Sequence, residues 1–316
     1  MAIPDTLARR LRIPAIAAPM FLVSGPDLVV ETCRSGLLGT FPALNQRESS
    51  GFDEWLSEID ERLSTVPDAA PYGVNLIVHK SNVRVEPDLA LCVKHKVPVI
   101  ITSLGAATEV VDAVHSYGGL VFHDVVSVKH ARKAAEAGVD GIIAVCAGAG
   151  GHGGLLSPFA LIPEIRSFFD GAIILSGAIS TGAQIAAARV MGADLGYLGT
   201  RFINTRESLA EPAYRQMIIE ANASDIAYTP KVSGVPANFL RRSLAEAGID
   251  PDVYEATGGV KIHGISDERK AWKHVWSAGQ GVGSVRDVPG TAELCQRLIE
   301  EYRAAMKACA ADPFVS

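Results

Sequence analysis

"VKHARKAAEAGVDGIIAVCAGAGGHGG", residues 128–154, holds in one stretch a helix, its stop, a buried strand and a glycine-rich loop. Its first part has an alanine-rich periodic face of helical spacing. Gly138 closes that helix, because glycine takes the left-handed conformation of a helix C-terminus without steric cost. Asp140 then leads into "GIIAV", an apolar run too short for a helix and suited to a strand buried on both faces. The wording recurs at 181–200, "TGAQIAAARVMGADLGYLGT", with Gly192 and Asp194 in the places of Gly138 and Asp140. A helix, a glycine stop and a buried strand, given twice, describe the βα unit of a parallel sheet.

Worked outward from these units, the chain shows about eight short apolar runs: "PAIAA" near 14, "GLLGT" near 36, "YGVNL" near 72, "VPVIIT" near 97, "LVFHDV" near 120, "GIIAV", "AIILSG" near 172 and "LGYLGT" near 195. Eight strands of this kind fit a closed barrel. An open doubly wound sheet calls for fewer strands and a GxGxxG turn after the first; here the first run ends in "APM". The expected fold is therefore α/β, a (β/α)8 TIM barrel. After "GTRFINTRES" the rhythm breaks, and helical segments such as "EPAYRQMIIEAN" and "ANFLRRSLAEAG" alternate with polar turns. We read residues 206–275 as a small helical cap inserted after the eighth strand, over the strand C-termini. Residues 1–205 and 276–316 then form the barrel, with "TAELCQRLIEEYRAAMKA" as its last helix.

Bulk composition excludes several classes of protein. The 316 residues are 48% hydrophobic and 20% charged, with a formal charge of -6 and no basic block, so a nucleic-acid partner is not expected. No stretch reaches the roughly 20 apolar residues that span a bilayer. The five cysteines are odd in number and never form a CxxC pair, which argues against a disulfide framework and for a reducing cytoplasm.

Barrel enzymes keep their chemistry in the loops after the strands. "LSGAISTG" (175–182) follows the seventh run with Ser176, Gly177 and Ala178, and "LGTRF" (198–202) follows the eighth with Gly199 and Thr200. Small residues expose backbone N–H groups, and Ser180 or Thr181 caps the next helix, so the two turns together read as a phosphate nest. His152 stands among glycines just after the sixth run. A histidine in such a loop is ordinarily exposed and idle, but here the glycines let backbone and imidazole close on a ligand, where imidazole accepts a proton or holds an anion. His79, His95, His115, His130, His263 and His274 have poorer positions, while His123 draws attention by its place at the fifth strand. Cys146, at a strand end with no base at a telling spacing, reads as core. No HExxH or paired-carboxylate spacing points to a metal.

Together these pieces resemble the nitronate monooxygenase family, once called 2-nitropropane dioxygenases. The likeness runs over nearly the whole chain, from "PAIAAPM" through "YGVNL", "AEAGVDGIIAVCAGAGGHGGLLSPFALIPEIR", "ILSGAISTG" and "GADLGYLGTRF" to "WSAGQGVG". It implies a TIM barrel holding FMN, with Ala18, Met20, Asn75 and Gly150 at the flavin ring and Gln280 closing over it. The phosphate would lie on Ser176, Gly177, Ala178, Gly199 and Thr200, with His152 as catalytic residue facing the substrate. Some relatives carry a lysine at the end of the fifth strand, where this chain has Asp124. What the resemblance implies for a carboxylate there is a hydrogen bond accepted from the ring N3–H in place of a cation's charge. The activity implied is oxidation of an alkyl nitronate, a small apolar anion, by O2 to a carbonyl compound and nitrite; a homodimer is compatible with it. Flavin-dependent enoyl reductases and NADH:quinone reductases share the barrel and a similar loop, so an NAD(P)H-dependent reductase is the alternative. A barrel that merely binds a phosphorylated metabolite is the third reading.

Overall fold

A computed structural model describes residues 2–105, 108–232, 234–252 and 275–314. Eight parallel strands close on themselves: β1 (Ala15–Ala17), β2 (Leu38–Pro42), β3 (Tyr72–Ile77), β4 (Val99–Ser103), β5 (Leu120–Val125), β6 (Gly141–Val145), β8 (Ala172–Ser176) and β9 (Leu195–Leu198). Each coincides with one of the eight apolar runs, and β9 returns to pair with β1 through Tyr197 opposite Ile16. The fold is the α/β barrel read from the sequence.

The repeated Gly-x-Asp joint has a physical reason in both units. Gly138 and Gly192 take φ of +83° and +108°, which ends the helix at the turn. The carboxylates of Asp140 and Asp194 then accept the backbone N–H of Val121 (2.8 Å) and Ile173 (2.9 Å), each on the strand preceding the one it introduces. Asp194 also holds Arg166 and the N–H of Ala2. The motif thus stops a helix and pins the start of a strand to its neighbour.

Two apolar layers hold the barrel. The interior is filled by Ile16, Leu38, Val99, Ile101, Phe122, Ile143, Ile174 and Leu195, all fully buried, and Leu7 from an N-terminal turn of helix joins them. Alternate residues of the same strands, such as Ile100, Val121, Ile142 and Ile173, face the surrounding helices. The helix Thr291–Ala310 packs against Gly182–Val190, completing the ring as expected.

The stretch after β9 differs from the mainly helical expectation. It holds a helix, Pro212–Glu220, but then two antiparallel strands, β10 (Ile226–Thr229) and β11 (Ala237–Leu240), before a short helix Arg241–Glu246. The piece "ANFL" is therefore a strand and not the start of a helix. Its backbone pairs on one side with β10 and on the other with β7, the two residues Gly151–His152 of the glycine loop. Strand pairing outweighs the helical preference of a four-residue stretch. Residues 253–274 of the expected cap, with His263 and His274, lie outside the described residues.

Candidate active site

At the C-terminal ends of the strands the barrel interior turns from apolar to polar. Ser103, Asp124, Ser176 and Tyr197 each stand two residues beyond an inward apolar residue (Ile101, Phe122, Ile174, Leu195), so they face the same interior one layer higher. Asn75 joins them from β3. Its amide donates to Ser103 Oγ at 2.7 Å and to the Ile101 carbonyl at 3.1 Å, and Ser103 Oγ in turn donates to Asp124 Oδ2 at 2.6 Å. The other carboxylate oxygen, Asp124 Oδ1, is buried and has no partner among the described residues. Burial raises the Asp124 pKa to about 6, with the Ser103 hydroxyl pulling the other way. Tyr197 is pushed well above its ordinary range by burial and by the negative charge of Asp124, so its phenol stays neutral.

Over this layer lies the glycine loop, held down by a strap, residues 276–281. Gln280 N–H donates to the Gly148 carbonyl (2.9 Å), Gly279 N–H to Thr200 Oγ1 (2.8 Å), and Gly151 N–H to Ser277 Oγ (2.7 Å). The approach is close enough to require glycine: a Cβ on Gly150 would come within 2.9 Å of Gly279 N, and one on Gly279 within 2.6 Å of the Gly148 carbonyl. From the hairpin side Asn238 donates to the Ala149 carbonyl (2.6 Å) and Tyr228 to the Gly153 carbonyl (2.9 Å). The strap is itself backed by Trp276 stacked on Tyr214, whose hydroxyl donates to the Ser277 carbonyl.

The turns after β8 and β9 carry free donors. The backbone N–H groups of Gly177, Ala178, Gly199 and Thr200 meet no acceptor among the described residues. The next helix needs none of them, because Thr181 caps it in a reciprocal box with Gln184. Ala178 is held at φ +54°, a strained conformation for a residue with a side chain, and it borders Gly148, which Gln280 also flanks. Gly199 lies beside Ala18 and Met20, its nearest contacts for an added Cβ being 3.8 and 4.0 Å away. Ala18, Met20, Gly199, Thr200, Gly150, Ala178 and Gln280 thus belong to one connected set of loops, with Asn75, Asp124 and Ser176 in the layer within.

The histidines divide. His152 sits in β7 opposite Ala237, and burial lowers its pKa, which keeps the imidazole neutral near pH 7. His123 does not enter the site: it lies inside β5 between two inward residues, so it points outward. There Nδ1 meets Thr102 Oγ1 at 2.7 Å, and burial drops its pKa to about 4. Cys146 is buried, and its thiol is pushed up to about 12, which removes it as a nucleophile. Among the described residues no three His, Cys, Asp or Glu side chains form a metal cluster, and no helix is long and apolar enough to cross a membrane. Ser103, Tyr197, Ser277 and Asn238 are members of the site that the sequence reading missed. The signal available for Ser103 was its height: Ser103 and Asp124 are polar residues that each follow a paired residue, Thr102 and His123, at the ends of two successive strands, and Asn75 pairs with Ile101 two residues below Ser103.

The family model described as nitronate monooxygenase matches residues 82–301. The chain belongs to the nitronate monooxygenase family. Within reach of it, the nitronate monooxygenase of Pseudomonas aeruginosa is 25% identical, over 95% of this chain and 99% of that protein. A 5-hydroxy-7a-methyl-1-oxo-octahydro-1H-indene-4-carboxyl-CoA dehydrogenase of Rhodococcus jostii is 27% identical over 74% of this chain, and the match spans 64% of its own length. Among solved structures, FabK from Thermotoga maritima superposes with a TM-score of 0.80 at 22% identity, covering 97% of both chains, which is a likeness of fold.

Proposed function

We propose that this family member binds FMN and oxidises alkyl nitronates, and nitroalkanes it has first deprotonated, with O2 to a carbonyl compound and nitrite. The observation that carries the reading is the set of free backbone N–H groups on the turns after β8 and β9, tied by one strap to the glycine loop that bears His152. Donors of that kind suit a phosphate. The unpartnered Asp124 oxygen suits a ring N–H, and the openness around Gly199, Ala18 and Met20 leaves room for a flat ring. When bound, FMN supplies the electron transfer between substrate and oxygen.

The chain's own residues do the rest. Gly177, Ala178, Gly199 and Thr200 would hold the phosphate. Asn75 and Asp124 would orient the ring, and Gln280 with the strap would exclude water over it. His152, kept neutral by desolvation, takes the carbon-bound proton of a nitroalkane and leaves the nitronate anion beside the imidazolium it has just formed. The purified protein should be yellow, and its flavin should bleach anaerobically with a nitronate but not with NADH or NADPH. A protein that stays colourless after incubation with FMN overturns the reading.

A second reading is an NAD(P)H-dependent reductase of a quinone or an enoyl thioester. It is favoured by the apolar rim just beyond His152, where Leu155, Leu156 and Phe159 are 72%, 42% and 75% exposed, and by the relative that acts on a CoA thioester. It expects the opposite result, bleaching by a pyridine nucleotide and indifference to nitronates.

A further inference from the structure

The Asn75–Ser103–Asp124 chain is built to leave one oxygen over. Each donor in it is spent in a single direction: the Asn75 amide on Ser103 and a carbonyl, the Ser103 hydroxyl on Asp124 Oδ2. Oδ1 remains buried, without a partner among the described residues, in the layer directly inside the loops that would hold the flavin. A buried acceptor left without a donor loses the hydrogen bond it would make in water, so it marks a position where a ligand donor belongs. Among the described residues no cation shifts its titration. Of the elements packed around Asp124, β4 offers Ser103, β6 offers Ile143, and β9 offers Tyr197, the one titratable neighbour on these strands and a neutral one.

We propose that Asp124 is the proton partner of the bound flavin, so that two-electron reduction of this protein takes up two protons above neutral pH instead of one. The inference rests on the FMN reading and goes beyond it to how the site handles charge. With FMN oxidised, the ring is neutral and the Asp124 carboxylate is the one negative side chain of the layer Asn75, Ser103, Asp124, Ser176 and Tyr197. Two electrons from a reductant such as dithionite, with one proton on ring N5, give an anionic ring and leave two negative charges in contact in a buried layer. Like charges so placed cannot both persist. A second proton therefore enters, either onto the reduced ring or onto Asp124 itself. The balance is the same in both cases: FMN, carboxylate, two electrons and two protons give a site of unchanged charge. A lysine at this position would have the reverse effect, holding the anionic ring with a single proton.

The test is the proton stoichiometry of FMN-loaded protein reduced anaerobically, read from the pH dependence of its midpoint potential between pH 7.5 and 9. Wild type should take up two protons per two electrons and Asp124→Asn one. The Asn variant keeps the bulk and the phosphate cradle, so FMN content should be retained. Ser103→Ala serves as the second variant: losing the hydrogen bond to Oδ2 disfavours the carboxylate. In oxidised holoprotein the pH of the flavin spectral transition belonging to Asp124 should then rise relative to wild type, and the transition should vanish in Asp124→Asn. One proton per two electrons in wild type, or a spectral transition unmoved by Ser103→Ala, overturns the proposal while leaving the FMN reading intact. A protein that takes up no FMN overturns both.

Discussion

At the scale of single residues, the site depends on which side chains are kept neutral and which are left unsatisfied. His152 is buried enough that its protonated form is disfavoured, so it carries no charge through the neutral range. Its service as a base should therefore be fully present around pH 7 and lost as pH falls below the lowered pKa, where the ring becomes protonated. Replacing it with Asn removes the proton acceptor and keeps a polar group. We expect His152→Asn to slow turnover of neutral nitroalkanes by ~10² to 10⁴ fold, and to slow preformed nitronates, which have already lost the proton, far less. FMN content should be unchanged, because the cradle residues lie on other loops. Equal rates of nitroalkane turnover in variant and wild type would make His152 a spectator.

At the scale of elements, close backbone approach decides two separate properties, and two glycines separate them. Gly182 begins the helix packed on Thr291–Ala310; a Cβ there would fall 2.2 Å from the Leu298 carbonyl oxygen and 2.4 Å from Tyr302 N. Gly182→Val should lower stability by about 1 to 3 kcal/mol, as overpacking does, seen as a lower Tm with FMN stoichiometry intact in the folded fraction. Gly150→Ala forces the strap away from the glycine loop and should weaken FMN binding by about tenfold, ~1.4 kcal/mol, with Tm of the FMN-free protein barely moved. The opposite pairing of effects would mean that the strap serves the fold and not the site.

The same scale explains what the sequence disclosed. A barrel strand buried on both faces is a short apolar run, here three to six residues long, next to small-residue turns, so all eight were legible. The glycine loop and the two donor turns were legible for a related reason: close approach and open N–H groups demand small residues in adjacent positions. β7 was not, because two residues with a glycine first carry no period, and β11 was hidden by the alanines and leucines of the helix that follows it. His123 misled because it sits one residue from Asp124, and only the strand's alternation tells which of the two faces inward.

At the scale of the whole molecule, the cysteines report how the barrel opens. All five are free, and Cys33, Cys92, Cys146 and Cys295 are buried whereas Cys309 is exposed. Burial raises all four inner thiols, those of Cys33, Cys146 and Cys295 to about 12, so none supplies thiolate at ordinary pH. A thiol reagent at pH 8 should therefore label one cysteine quickly and the other four only as the barrel opens. Their positions differ: Cys33 and Cys295 lie on helices of the outer ring, whereas Cys146 starts the glycine loop and its N–H donates to the Ser176 carbonyl. A ligand held by loops from β1, β6, β8 and β9 ties the open end of the barrel into one unit. Saturating FMN at about 100 times its Kd adds ~2.7 kcal/mol against any opening that releases it, about a hundredfold in rate. Labelling of Cys146 should slow by that factor. Cys33 and Cys295 should slow equally only if the barrel opens as a whole, and less if the outer helices fray by themselves. Labelling of Cys146 at the speed of Cys309, with FMN bound, would contradict the packing of the glycine loop on which the site is built.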